Sequence, residues 1–492
     1  MALLNIAIPP GVVKNGTDFQ QANAWNDANL VRWYEGSLQP IGGWRARTTT
    51  QMSGVARAII TYRDNSANRR TVVGTNSNLY FIAEDAVVTD ITPTGFTTGN
   101  ANATQNLGYG GLTWNSFAWD TPRPDQAFAP ADTWSLDNFG QNVIACSTSD
   151  GKIYEWANSA GSAAALLSNA PTNCTAVLVT DTRQVMALGA DGIGAKVAFS
   201  DQEQTNVWTP ASTNAAGSQI LQTTGNLILG KQLRGETLLL TTTDAHVARF
   251  QGPPFIFGFQ QVGTGCGAVS ANACVVANNA AYWMSKQGFF VYNGNTSSLR
   301  SSVGDFLFEN INESQSSKVV GVLNSAFHEI IWFYPSSDSI ENDRYVIYNY
   351  RENTWSIGRL ARTAGVDAGV FNYPNYVSSD GYIYEHEAGY SYDSGDEVFA
   401  ETGPIQLGNG DRLAVARHLI SDETSAGAVT ATFKTRNYPT ATESTHGPFT
   451  LTRTPTSVRF QGRQIQMRVT GAAPESWRVG TMRLDVVEGS AR

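Results

Sequence analysis

Residues 148–156 read TSDGKIYEW, and residues 378–386 read SSDGYIYEH. Two copies of SDGxIYE in one chain mark a repeated structural unit. Asp-Gly supplies a tight turn, because Gly tolerates positive φ and Asp tolerates the left-handed region. Ile-Tyr-Glu then supplies a strand of β-branched and aromatic residues. Weaker versions occur at Asn76–Phe81, Gln287–Tyr292, Asp343–Tyr348, Asp244–Arg249 and, most loosely, Ala195–Ser200. With the Gly slot as marker, the copies stand at 77, 151, 195, 245, 288, 344 and 381. Most intervals are near the ~40–50 residues of a four-stranded propeller blade. The interval from 77 to 151 is too long and implies an insertion or an unmarked blade. The fold class expected is all-β: a β-propeller, with a smaller β-sandwich or platform formed by the terminal segments.

Composition agrees with turn-rich β structure and narrows the partners. Charged residues are 15% of the 492, and Gly numbers 46. A globular protein averages about 25% charged, so this surface is cheap to desolvate and suits permanent assembly. The net charge of −9 excludes a protein that grips nucleic-acid phosphates over its whole surface. It fits one that lets nucleic acid slide past. Cys146, Cys174, Cys266 and Cys274 form no CxxC pair and read as buried thiols on strands, consistent with cytosolic synthesis. The first ten residues lack a basic n-region and end in Pro9-Pro10, so no signal peptide is expected. No apolar run approaches ~18 residues, so no membrane span is expected.

Three regions follow along the chain. Residues 1–50 read as an N-terminal platform segment with a turn at Glu35-Gly36-Ser37. Residues 51–395 read as the propeller, interrupted at about 94–132 by a loop rich in Gly, Asn, Thr and Pro. That loop is either a projection that contacts a neighbour or narrows a channel, or an ordered crossing whose aromatics enter the core. Asp305–Asn312 is the best short helix, with 307, 308 and 311 on one face. Residues 396–492 alternate clearly at Val429–Arg436, Gln464–Val469 and Met482–Val486, the pattern of half-buried antiparallel strands in a C-terminal platform or sandwich.

Several runs carry a family resemblance. NLVRWYEGSLQPIGGW (29–44) resembles the opening of tail proteins of short-tailed bacteriophages, where an R-[WF]-x-x-G-x-x-x-x-x-GGW type of pattern is common. TWSLDNFGQNVIACSTSDGKIYEW (133–156), FSDQEQTNVWTP (199–210) with GFFVYNG (288–294), and FQGRQIQMRVTGAAPESWRVGTMRLDVVEG (460–489) resemble later stretches of the same group in the same order. The chain is thus similar to the tail nozzle, or tubular tail protein B-like, family. That resemblance implies a structural virion protein made in the host cytoplasm. It implies a homo-oligomer, a hexameric ring at the tail end, contacting adjacent tail proteins such as adaptor, fibres or needle. Double-stranded DNA would pass through the ring's lumen without specific binding, retained and then released during ejection.

Motifs for covalent chemistry are missing or fail on context. Gly225–Gln232 (GNLILGKQ) mimics a P-loop, but Gln232 replaces the Mg²⁺-ligating hydroxyl and no helix is expected after it. Gly263–Gly267 lacks the dinucleotide spacing. His246, His328, His386, His418 and His446 are scattered singly, without neighbours at metal-ligand spacing. Thr148, Asp150, Gly151 and Trp156 resemble the Asp-box of sialidase propellers, with the Gly one place early. Tyr390–Glu397 gathers three carboxylates but lacks EF-hand spacing and reads as a solvated turn. The expectation is therefore no enzyme, no catalytic, cofactor-binding or metal-ligating residues and no cofactor. The alternative from another class is a glycan- or receptor-binding, or glycan-cleaving, propeller, which needs exposed aromatics and a carboxylate pair at one propeller end.

Overall fold

A computed structural model describes residues 2–104, 128–393, 395–407, 413–439, 441–472 and 474–488. Seven four-stranded antiparallel sheets follow one another along the chain. Their innermost strands are Ala56–Arg63, Trp134–Phe139, Ala176–Val179, Leu227–Leu233, Cys274–Ala277, Val320–Asn324 and Ala364–Val366. Each lies beside the next, and the last lies beside the first. The sheets are therefore the blades of a seven-bladed propeller, numbered here 1 to 7 in that order.

The seven sequence markers fall one per blade, at the junction of its second and third strands. In blade 2 the Asp150 carboxylate accepts from the Lys152 N–H at 3.1 Å and from the Tyr154 hydroxyl. In blade 7 Asp380 accepts from the Tyr382 N–H at 3.1 Å and from the Tyr384 hydroxyl at 2.8 Å. Asp buckles the turn, the following Gly takes φ of 62° or 83°, and Tyr two strand positions later closes the ring of contacts. That explains D-G-x-I-Y as a unit. The long first interval holds an insertion, because blade 1 ends at Asp90 and blade 2 begins at Trp134. Residues 105–127 of the expected 94–132 loop lie outside the described residues; its two roots are joined by a bridge between Thr104 and Ala129.

Blade 7 is completed from the other end of the chain. Its outer strand is Trp44–Ala46, paired with Ile383–His386. The segment 1–50 is thus shared: Ala2–Ile6 and Trp25–Asn29 enter the platform, and Trp44–Ala46 enters the propeller. The platform is a sandwich of two sheets. One runs Ala2–Ile6, Met482–Glu488, Ala414–Ile420, Thr456–Gly462; the other centres on Gln464–Gly471 between Val398–Thr402 and Val429–Arg436. Val429–Arg436 alternates buried and half-buried residues as its sequence does. Phe433, Met467, Val469 and Leu484 fill the interior, which is continuous through Trp25 and Trp33 with the core of blades 5 and 6. Each such fully buried large side chain contributes about 1.5–3 kcal/mol. Helix Gly304–Asn310 turns Leu307 into this core.

The joint between the ends is built from the run at 29–44. Arg32, on strand Val31–Tyr34, enters fully buried between blades 6 and 7. It meets Glu329 at 3.0 Å and both oxygens of Glu387, and its guanidinium lies 3.7 Å over the Phe327 ring. Gly42 and Gly43 then cross against backbone, where a Cβ would come 2.3 Å from Glu387 Cα and 2.3 Å from Ser391 O. Only glycine allows that approach. Trp44 stacks on His386 and donates to Asp393 at 3.2 Å. Two carboxylates share one guanidinium here, and burial pushes the Glu329 carboxyl up to about 7 against the pull of Arg32.

Candidate functional site: the axial channel and the crossed mouth

A cavity of about 460 Å³ runs along the propeller axis, lined by the inner strands of all seven blades. A duplex, whose major groove alone is about 12 Å wide, cannot thread it. Its wall is mostly small and aliphatic, with Arg57, Asp137, Lys231 and Asp367 as the charged members. Asp137 accepts from the Val179 N–H at 2.8 Å, and burial raises its carboxyl above the usual range. Lys231 belongs to the P-loop mimic. That run is the inner strand of blade 4, followed by a second strand at Glu236–Thr241, so no phosphate cradle forms.

One mouth of this channel is crossed. Asn272, just before blade 5, donates from Nδ2 to Arg57 O of blade 1 at 2.9 Å and to Trp134 O of blade 2 at 3.4 Å. Those blades stand opposite blade 5 in a ring of seven. The root of the insertion is fastened over the same mouth. Ala103 exchanges backbone hydrogen bonds with the Gln315 side chain at 3.0 and 3.2 Å. Lys318 donates to Asn102 Oδ1 at 2.5 Å, and Arg57 donates to Ala101 O at 2.7 Å. Glu341 of blade 6 binds both cations, Arg57 at 2.8 Å and Lys318 at 3.4 Å.

The charges in this latch are tuned by their company. Burial pulls the Lys318 ammonium down to about 8, against the attraction of Glu341. Burial also acts to raise Glu341, but hydrogen bonds and charge from Arg57, with Lys318 beside it, hold it below the usual carboxylate range. The arrangement is a strap from blades 1 and 2 to blade 6. Sequence reading missed it, since Arg57 stands 284 residues from Glu341 and none of Arg57, Gln315, Lys318 and Glu341 lies in a motif.

The other candidates resolve individually. All four cysteines are buried and free; Cys146 and Cys274 lie on strands, while Cys174 and Cys266 lie in connections. Burial pushes Cys266 up to about 11 and Cys174 and Cys274 to about 12. His386 is buried, accepts from Arg362 Nε at 2.9 Å and is held neutral, well below its usual range, by burial and that cation. His246 is buried in blade 4. His328 holds a left-handed turn in blade 6. The carboxylates of 390–397 diverge: Asp393 takes the Trp44 indole N–H, and Glu397 pairs with Arg468 at 2.6 Å. Among the described residues, no three His, Cys, Asp or Glu side chains gather at metal-binding distance. No helix among them is long and apolar enough to cross a membrane.

No protein-family model matches the sequence, and no curated protein matches it. Among solved structures, the chain is similar to virginiamycin B lyase from Staphylococcus aureus at 6% identity and a TM-score of 0.42, over 70% of this chain and 98% of the lyase. It is similar to YCF48, solved bound to D1 peptide, at 8% identity and a TM-score of 0.38, over 70% and 97% of the two chains. It is also similar to PorZ, a surface component of the type-IX secretion system of Porphyromonas gingivalis, at 10% identity and a TM-score of 0.38, over 77% of this chain and 44% of PorZ. At these identities no residue role passes from any of them to this chain.

Proposed function

We propose that this chain is a structural subunit of a short phage tail, a nozzle protein whose copies form a ring around the exit path of the DNA. The reading makes its role geometric, not catalytic. It puts the protein in the virion tail, as a hexamer docked against adjacent tail proteins.

The supporting observation is where the phage-like run at 29–44 falls. Arg32, Gly42, Gly43 and Trp44 are the joint that holds platform and propeller as one body. The phage-like run at 460–489 supplies strands Gln464–Gly471 and Met482–Glu488, which lie inside the two platform sheets. A subunit that must keep its shape while a genome passes needs rigid joints of this kind. The propeller axis is too narrow for a duplex and crossed at one mouth, so under this reading the DNA path lies between copies. Heterologous contacts that close by rotation generate such a ring.

The test is the mass of the assembled protein in dilute solution. A species near six times 53.1 kDa, seen as a ring by electron microscopy, is the expected result. A monomer at all concentrations, or a species that binds glycans as a monomer, overturns the reading.

A further inference from the structure

The chain as a whole is acidic, but its charge is unevenly divided. Residues 396–492 contain 11 Lys and Arg against 10 Asp and Glu, a net of +1, so residues 1–395 carry −10 of the total −9. Within the platform, one groove gathers basic side chains. It encloses about 690 Å³ at the open edge of the sandwich and is lined by Arg417, His418, His446 and Arg459 over a floor that includes Phe460.

A local irregularity builds this groove. Strand Ala414–Ile420 loses register between Ala416 and His418 against both of its neighbours. The extra residue makes Arg417 and His418 both exposed, where regular alternation would bury one of them. A bulge of this type re-aims side chains. Arg459, opposite the bulge on strand Thr456–Gly462, takes φ of 42°, an uncommon conformation for a residue other than glycine. It too is exposed. His446 comes from the facing sheet, stacks on Phe460 with 5.5 Å between ring centres and meets Thr435 Oγ1 at 3.0 Å. Among the described residues, the mostly buried Asp485 lies 3.5 Å from His418 Nδ1. Among the described residues, neither Arg417 nor Arg459 has a carboxylate within 4.0 Å, whereas other platform arginines such as Arg436 and Arg468 are paired.

We propose that this groove contacts the sugar–phosphate backbone of duplex DNA, without regard to sequence. Two guanidiniums on one rim, each with its planar donor fork uncommitted, match phosphate oxygens. Charge complementarity selects a polyanion, and contacts to phosphate carry no sequence information. The inference rests on the nozzle reading and deepens it: the platform would be the part of each subunit that touches the passing genome, while the acidic remainder repels it. Two neutralised phosphates per copy give a weak, salt-sensitive contact, compatible with sliding.

The experiment uses the full-length protein, a fluorescein-labelled 20-base-pair duplex and fluorescence anisotropy, with the mass of the assembly measured in parallel. Wild type is expected to bind the duplex, and to bind it more weakly at 200 than at 50 mM salt, by about tenfold for each copy that makes its two phosphate contacts. The R417Q/R459Q variant is expected to keep the wild-type mass and lose most of that binding and its salt dependence; R417K/R459K is expected to retain it. Binding unchanged in R417Q/R459Q, or no binding by a wild-type protein that forms the ring, overturns the inference and leaves the ring standing. Loss of the ring itself in R417Q/R459Q also overturns it, and makes the groove a contact between copies. Vesicles containing anionic phospholipid, bound as tightly as DNA and with the same dependence on Arg417 and Arg459, overturn it in favour of a lipid surface. A wild-type protein that binds the duplex as a monomer would instead count against the nozzle reading.

Discussion

Replacing Glu329 with glutamine should make the protein more stable at neutral pH, although it removes a charge from a buried ion pair. Glu329 and Glu387 both face Arg32, Asn324 donates to Glu387 at 3.0 Å, and Glu329 and Arg32 are almost fully buried. Burial holds the Glu329 carboxyl at about 7 in the fold, against a usual value of 4.5. The folded chain therefore keeps a proton that the unfolded chain releases. Between pH 4.5 and 7 the fold binds more protons, so this group's contribution falls as pH rises, by about 1.4 kcal/mol per unit. The loss is complete above about pH 7 and amounts to about 3 kcal/mol. Glutamine cannot ionise and retains an oxygen for Arg32. Glu329→Gln should thus match wild type near pH 4.5 and exceed it by up to about 3 kcal/mol at pH 8. Urea-unfolding midpoints of both proteins, taken from pH 4.5 to 8.5, measure this directly. Parallel pH profiles, or a variant less stable than wild type at pH 8, would refute the argument that burial outweighs Arg32 at this carboxyl.

Three further outcomes are expected. Gly43→Ala sets a methyl 2.3 Å from Ser391 O and should cost about 1–3 kcal/mol, with faster amide exchange on Trp44–Ala46 than elsewhere in blade 7. Gln315→Ala removes both side-chain bonds to Ala103; limited proteolysis should then cut at the insertion root sooner than in wild type, by the rate change that about 1–3 kcal/mol of lost anchoring implies. The four thiols should resist a thiol reagent in the native protein at pH 8 and all react after denaturation, because burial raises each above its usual range.

What the sequence revealed and what it concealed divide along the range of the interactions. Asp150, Gly151 and Tyr154 lie within five residues and satisfy one another, so their turn is written in the local pattern, and each blade carries some version of it. Platform strands such as Val429–Arg436 were legible for the same reason, since burial alternates from Val429 to Thr435. The pairing of Trp44–Ala46 with Ile383–His386 leaves no such mark. A strand reads alike whichever edge it joins. The strap over the channel mouth depends on Arg57 meeting Glu341, a separation of 284 residues, and no spacing rule reaches that far. The groove at Arg417 was hidden for a third reason: alternation predicts one exposed residue of the pair 417–418, and a bulge supplies two.

The last strand of blade 7 is synthesised some 340 residues before its partner. At about 5–20 residues per second, Trp44 leaves the ribosome roughly 20–70 s ahead of His386. Its apolar face has no home during that interval, and sequence-distant pairing of this kind is slow to form. Translation products that stop before His386 therefore lack a closed circle of blades. Closure of the circle thus waits on a strand made at the start of the propeller and a partner made at its end.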